Sequence, residues 1–268
     1  MKLKYGKEEI LLPLKEKHIL KILDLKKQKV LPNPQDKLKE LLKNPINSPS
    51  LRDLITQKEA KNILIIVNDV TRPTPYRLIL PPLLEELQQI GIGRENITFL
   101  VATGIHRGNS EEEIKKIFGE DISSTYKFVN HNADDPHLKY LGKLSSGNEL
   151  WVNPLISRAD FIITTGVIVP HYFAGFSGGR KSILPGISGR KTIEANHSQK
   201  AYGIARVVKE VEVILISSLP PAKVRKLFFV PMENLAQALS YVYVKEKYGE
   251  DFQAYLLPSG NTVVPQVI

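Results

Sequence analysis

The sequence has no cysteine in 268 residues, which excludes disulfides, thiolate nucleophiles, zinc ribbons and protein-ligated iron–sulfur clusters. A metal would have to be held by histidine, by carboxylate or by donors that the chain does not encode. Long apolar runs are also missing. Asn62 to Val67 and Asp160 to Thr165 are strand-sized, well short of the roughly 20 residues of a membrane-spanning helix. The opening Met1-Lys2-Leu3-Lys4-Tyr5-Gly6 lacks the apolar stretch and small-residue cleavage site of a signal peptide. The expectation is a cytoplasmic protein with no membrane partner. Acidic residues are in deficit, 28 against 37 Lys and Arg, for a net charge of +9. The basic residues are scattered, however, and near the N-terminus they alternate with Glu, Asp and Leu, whereas nucleic-acid binding shows as clustering on one face. No nucleic-acid partner is expected, and a site for small anions accounts for part of the excess.

The 42% of hydrophobic residues are enough for a substantial core. Leu3 to Tyr5 and Glu9 to Leu12 around Gly6-Lys7 read as an N-terminal hairpin, followed by a Lys-rich, Pro-punctuated segment through Pro49. From Asn62 the pattern becomes an alternation of strands and helices. Strands are expected at Asn62 to Asn68, Ile97 to Ala102, Lys127 to Asn130 and Asp160 to Thr165, with helices at Tyr76 to Ile90 and Ser110 to Phe118. Further on, Gly189 to Val208 reads as helix, Val211 to Ser217 as strand, Asn234 to Tyr248 as an amphipathic helix and Ala254 to Leu257 as strand. This is an α/β fold, a mostly parallel Rossmann-like sheet flanked by helices, with a short N-terminal β-hairpin.

Three polar clusters each follow an expected strand: Asn68-Asp69-Val70-Thr71-Arg72-Pro73, Thr103-Gly104-Ile105-His106-Arg107, and Gly166 to Gly186. In open α/β sheets the ligand crevice lies at the carboxyl ends of the strands, so the three loops should converge. Pro73 disfavours a helical Arg72. An arginine on such a loop suits bidentate recognition of carboxylate or phosphate, the plain alternative being an Asp69–Arg72 pair that staples the turn. His106 suits acid/base work near neutral pH, the plain alternative being a hydrogen-bonded structural ring. His171 sits in a loop shaped by Pro170, Gly175, Gly178 and Gly179. Ser177-Gly178-Gly179-Arg180-Lys181-Ser182 is not a Walker A loop, because Arg180 stands where that motif needs glycine. Its backbone N–H groups with Arg180 and Lys181 can still hold an anion. In Ser110-Glu111-Glu112-Glu113 the acids cap a helix. The cluster from His131 to His137 carries ordinary turn residues and no recognised metal-ligand spacing.

Asp69-Val70-Thr71-Arg72-Pro73, Thr103-Gly104-Ile105-His106-Arg107, and the long run from His171-Tyr172-Phe173-Ala174-Gly175-Phe176 to Gly186, followed by Asn196-His197, together resemble the lactate racemase family. Lys181 lies ten residues after His171 and His197 sixteen after Lys181, the spacing expected of that family. The resemblance implies an isomerase, a racemase or epimerase of a small 2-hydroxy acid with lactate as the default. It further implies a nickel-pincer nucleotide, a pyridinium-derived mononucleotide whose sulfur-bearing arms grip nickel and so supply the soft donors the chain lacks. Carried over by residue, it makes Lys181 the covalent anchor of the cofactor and His197 the nickel ligand. His106 and His171 become the acid/base residues and Arg72 the holder of the substrate carboxylate. Asp69, Thr71, Ser177, Gly178, Gly179 and Arg180 become cofactor contacts. Cofactor-synthesis proteins are implied as partners. Family members are expected to be longer, with a second α/β domain entering near Ser198 to Lys200. On that expectation, residues 1–268 form a single cofactor-binding domain in two parts, 1–198 and 199–268, with little or no racemase activity alone even when the cofactor is present. The alternative function is a non-catalytic, cofactor-carrying module.

Overall fold

The computed structural model describes residues 2–5, 8–24, 29–171, 174–198, 211–244 and 252–257. These fall into two compact units, dividing between Gln28 and Lys29 and between His197 and Ser198. The smaller unit, from the two ends of the chain, begins with the expected hairpin: β1 (Lys2–Tyr5) pairs antiparallel with β2 (Glu8–Leu11). In the same unit β3 (Ile19–Ile22) later pairs in parallel with a strand near the C-terminus. His18, buried just before β3, stacks on Phe252 at 4.5 Å between ring centroids.

The larger unit opens with α1 (Pro34–Lys43) and α2 (Leu51–Gln57). The Lys-rich, Pro-punctuated stretch therefore contains a helix that begins on its proline, whose missing N–H costs nothing at a helix start. The strands follow as β4 (Ile63–Asn68), β5 (Ile97–Ala102), β6 (Lys127–Asn130), β7 (Lys139–Lys143), β8 (Glu149–Val152) and β9 (Phe161–Thr164). Between them lie α3 (Tyr76–Ile90), α4 (Glu111–Phe118) and α5 (Glu120–Thr125). A four-stranded parallel sheet runs in the order β6-β5-β4-β9. β4 is central and buried at every residue but Asn68, which is why it reads as an unbroken apolar run. One face of the sheet packs Ile63, Ile65, Val67, Phe99 and Val101 against Tyr76, Leu80 and Leu87 of α3 and Phe118 of α4. The other face packs Leu64, Ile66 and Leu100 against Val152 and Ile187. The hairpin β7–β8 lies outside this sheet.

A two-residue hairpin, β10 (Pro170–His171) with β11 (Gly175–Phe176), follows β9, and a 3-10 turn spans Gly179–Ser182. Residues 190–198 form helix α6, the described part of the helix expected from Gly189 to Val208. In the smaller unit β12 (Ile214–Ile216), α7 (Pro221–Lys226), β13 (Val230–Met232), α8 (Leu235–Val244) and β14 (Ala254–Leu256) complete the described chain. β14 is the partner of β3. The remainders of the helices expected to Val208 and to Tyr248, the Gly6-Lys7 turn and the closing Pro258-Ser259-Gly260 lie outside the described residues. No described helix is long and apolar enough to cross a membrane.

Candidate functional site

The sheet order sets the place of the site. From β4 the chain moves to β5 and β6 on one side and then returns to β9 on the other. The connections diverge beyond the carboxyl ends of β4 and β9, the position at which open α/β sheets form their ligand crevice. Asp69 is the first residue after β4, His106 lies in the loop after β5, and the glycine-rich run follows β9. Direct contacts tie these loops together. The Gly104 N–H donates to the Gly186 carbonyl at 2.9 Å, and the 3-10 turn carrying Lys181 lies against β4. A Cβ at Gly166 would stand 3.1 Å from the Asn68 amide.

Asp69 is buried, at 3% exposure, while the His106 ring is half exposed. His106 Nδ1 lies 2.7 Å from Asp69 Oδ2. The other carboxylate oxygen, Oδ1, accepts the Thr71 hydroxyl at 2.7 Å and the Thr71 N–H at 3.2 Å. Asp69 therefore makes a charge-assisted contact with a ring that reaches solvent, and Thr71 serves to hold that carboxylate. The plain reading of an Asp69–Arg72 staple gives way to a backbone turn, in which the Arg72 N–H donates to the Asp69 carbonyl at 3.1 Å.

Three arginines stand on these loops, and they differ in availability. Arg107 forms a bidentate pair with Glu113 at 2.6 and 2.7 Å. The Arg107 hydrogen bonds, followed by the Ser110 N–H, hold the Glu113 carboxyl down to about 2. The same glutamate closes the capping box with Ser110 at the start of α4. Arg72 and Arg180 are exposed, and neither guanidinium makes a hydrogen bond or ion pair among the described residues. They are the cations open to an anionic ligand.

In the third loop the Ser177 hydroxyl donates to the Val167 carbonyl at 2.5 Å and accepts the Val169 N–H at 2.9 Å. It staples the loop to itself. Gly178 adopts φ 77° with Ile168 packed close by, and Gly179 adopts φ 49° with open space where a Cβ would be. This left-handed pair turns the chain into the 3-10 turn, where the Lys181 N–H donates to the Gly178 carbonyl and the Lys181 carbonyl accepts the Gly186 N–H, both at 3.1 Å. His171 receives the Ala174 N–H on Nδ1 at 3.2 Å; Tyr172 and Phe173 lie outside the described residues. His197 is near the described end of α6. Among the described residues no group of three or more His, Asp or Glu side chains is placed to hold a metal ion.

Several supporting residues are not legible as such in the sequence. Asn109, buried, accepts the Val70 N–H on Oδ1 at 3.2 Å. It is itself clamped by Asn130 through bonds of 3.0 Å to its N–H and 2.9 Å to its carbonyl. The Asp69 loop thus hangs from the end of β6. The Asn109 Nδ2 is buried with no hydrogen-bond partner. His131 is a structural ring whose Nε2 lies 2.9 Å from the Ser188 carbonyl, while Nδ1 accepts the Asn153 amide at 3.2 Å. Beside it, Asp134 pairs with Arg190 twice at 2.7 Å and the Ala133 carbonyl accepts the Arg190 N–H, pinning the start of α6. The cluster from His131 to His137 is a clamp on the segment between Lys181 and His197.

Residues 5–206 match the model of the lactate racemase N-terminal domain family. A lactate racemase of Thermoanaerobacterium thermosaccharolyticum is 43% identical over 196 residues, covering 72% of this chain and 45% of the relative. One from Lactiplantibacillus plantarum is 44% identical over 165 residues, covering 61% of this chain and 38% of the relative. Among solved structures, the T. thermosaccharolyticum lactate racemase apoprotein superposes with a TM-score of 0.65 at 41% identity, over 73% of this chain and 45% of that one. A Thermotoga maritima protein superposes with a TM-score of 0.53 at 26% identity, over 64% and 42% of the respective chains. The chain thus spans less than half the length of the curated relatives it matches.

Proposed function

Because this chain belongs to the lactate racemase N-terminal domain family, we propose that it provides the catalytic half of a racemase for a small 2-hydroxy acid, with lactate as the reference substrate. The observation that carries the reading is the Asp69–His106 pair, 2.7 Å apart at the switch point of the sheet, beside loops that present unpaired Arg72 and Arg180. Racemising such an acid requires a base for the hydroxyl proton and a cation for the carboxylate. His106 with Asp69 supplies the first and Arg72 the second. The hydride-transfer route that the family resemblance implies also needs a hydride acceptor, which no side chain supplies.

We infer that a nickel-pincer nucleotide meets it: when bound, such a group supplies the hydride acceptor. The donor set fits. The family resemblance implies soft sulfur donors carried by the bound group, which is compatible with a chain that has no cysteine. The left-handed Gly178 and Gly179 deliver Lys181 on a braced turn against β4, with open space at Gly175 and Gly179 for close approach. On this reading Lys181 anchors the group, His197 ligates its nickel, Arg180 and the backbone N–H groups of Gly178 and Gly179 hold its phosphate, and His171 faces the substrate. Thr71 and Ser177 act at one remove, Thr71 through Asp69 and Ser177 by shaping the loop. Cofactor-synthesis proteins would then be partners and the cytoplasm the compartment.

A second reading is favoured by the 45% coverage of the relative: the chain carries the cofactor while a further domain completes the chemistry. One experiment separates the two. The chain is co-expressed with cofactor-synthesis proteins, its nickel and visible absorbance are measured, and lactate of one configuration is followed by chiral chromatography. The racemase reading predicts conversion that falls at least ~10²-fold in His106→Gln. A loaded chain that leaves lactate unconverted establishes the carrier reading instead.

A further inference from the structure

His131 has a place for one ring hydrogen and none for a second. The ring is buried. The Ser188 carbonyl, 2.9 Å from Nε2, can only accept, so Nε2 bears the hydrogen. On the other side Nδ1 lies 3.2 Å from the Asn153 amide nitrogen. The orientation of that amide is set from outside the pair, because Asn153 Oδ1 accepts the Leu155 N–H at 3.0 Å and so turns Nδ2 towards the ring. Nδ1 is therefore an acceptor with a donor already on it. A proton added there would set N–H against N–H in a buried site. Relief has two routes, and both open the junction: the ring swings out to water and leaves Ser188, or the Asn153 amide reverses and leaves the Leu155 N–H. Burial, the largest effect on the ring, opposes its charged form, while the Ser188 carbonyl and Asp135 favour it by less. The neighbouring Asp134 carboxylate is taken up by Arg190 at the start of α6.

This junction holds more than itself. The Asn153 N–H donates to the Ile187 carbonyl at 2.8 Å, and the Ser188 hydroxyl donates to the Ile183 carbonyl at 2.7 Å. Between those two carbonyls in the chain, the Gly186 carbonyl accepts the Gly104 N–H at 2.9 Å. Thr103, just before Gly104, donates its hydroxyl to the His131 carbonyl at 2.8 Å. The segment from Lys181 to Ser188 and the loop of His106 thus both hang on His131, one through its ring and the other through its backbone. We propose that His131 is an acid-released latch: the neutral ring closes the junction of Asn153 with Ser188, and a second proton opens it, loosening the segment that carries Lys181 and the His106 loop tied to it through Gly186. The site is held together near neutral pH and loosened in acid, while the sheet beneath it stays folded. The latch goes beyond the racemase reading and does not depend on it, since neither His131 nor its partners Asn153 and Ser188 are assigned to substrate or cofactor.

Amide hydrogen exchange of the full chain at pH 7.5 and 5.5, corrected for intrinsic rates, tests the latch. An opened ring titrates near the ordinary histidine value of about 6.5, so an opening coupled to proton uptake becomes about 10-fold easier between the two pH values. Protection at the Gly104 and Asn153 amides, which are bonded to the Gly186 and Ile187 carbonyls, is expected to fall by about that factor, while Ile65 and Val67 in β4 keep theirs. His131→Gln, neutral at both pH values, should abolish the difference. Asn153→Asp should abolish it by another route. One carboxylate oxygen keeps the Leu155 N–H and the other accepts Nδ1–H from a charged ring, so acid closes the junction and Gly104 stays protected. Equal protection of Gly104 and Asn153 at both pH values in the parent chain, a fall shared with β4, or a fall that persists in His131→Gln would overturn the latch. Should a variant fail to fold, the comparison of Gly104 with β4 in the parent chain decides by itself. Neither lactate nor cofactor enters the measurement, so failure here leaves the racemase reading standing, and unconverted lactate leaves the latch.

Discussion

Asp69 and His106 are 37 residues apart, and each has an innocuous reading by itself: a turn former and a polar ring in a loop. Their partnership comes from sheet order, which sets the end of β4 beside that of β5, and sequence pattern reports the strands without the distance between side chains. Asn109 was harder still to recognise, since it precedes a capping box and looks like the last polar residue of a loop. Its buried clamp on Asn130 exists only once β6 lies next to β5. Gly186, by contrast, was legible as part of a long motif, but its reason is steric. A Cβ there would lie 2.3 Å from the Ser182 carbonyl oxygen and 3.0 Å from Ala102 Cβ, so the turn cannot keep its place with any larger residue. Gly186→Ala should break the 2.9 Å bond from Gly104 to Gly186 and loosen the His106 loop. Hydrogen exchange at the Gly104 amide is expected to accelerate by at least ~10-fold, the equivalent of about 1.4 kcal/mol. Unchanged exchange at Gly104 would show that the two loops are held by other means.

Elements with one buried face were read closely from pattern alone. The boundaries of α3 emerge as Tyr76–Ile90, ended by Gly91 in the left-handed region, and the capping box at Ser110 starts α4. α1 is hard to read from pattern, because Pro34 looks like punctuation and the helix buries no residue fully. The β7–β8 hairpin leaves no clear alternation in the sequence because its strands are mostly exposed. That hairpin nevertheless matters, since His131 bridges Asn153, just beyond β8, and the Ser188 carbonyl. Burial pushes His131 below the ordinary histidine range, against the smaller upward effects of the Ser188 carbonyl and Asp135. The unfolded chain then takes up the proton more readily than the folded one. Stability should be intact above about pH 6.5 and fall as the pH drops below that value towards the lower folded pKa. Urea midpoints at pH 7.5 and 5.5 should show this loss, and His131→Gln should show less of it. An equal loss in both proteins would place the pH sensitivity elsewhere.

At the scale of the whole molecule, the larger unit is an α/β layer structure in which α3 and α4 cover one face of the sheet and Val152 and Ile187 pack on the other. Its polar loops lie at the carboxyl edge of the sheet because strand ends are the one place where backbone and side chains can face a ligand without breaking the core. On the proposed function the reactive and soft groups are brought by a bound molecule, and a lysine, histidines and cations of the chain hold it. The central claim is that the turn at Lys181 anchors that molecule. Intact-mass spectrometry of the chain co-expressed with cofactor-synthesis proteins tests it most directly. The account predicts a covalent mass increase that is present in the parent chain and in His106→Gln and absent in Lys181→Ala. An adduct that persists in Lys181→Ala, or a parent chain that gains no mass, would contradict it.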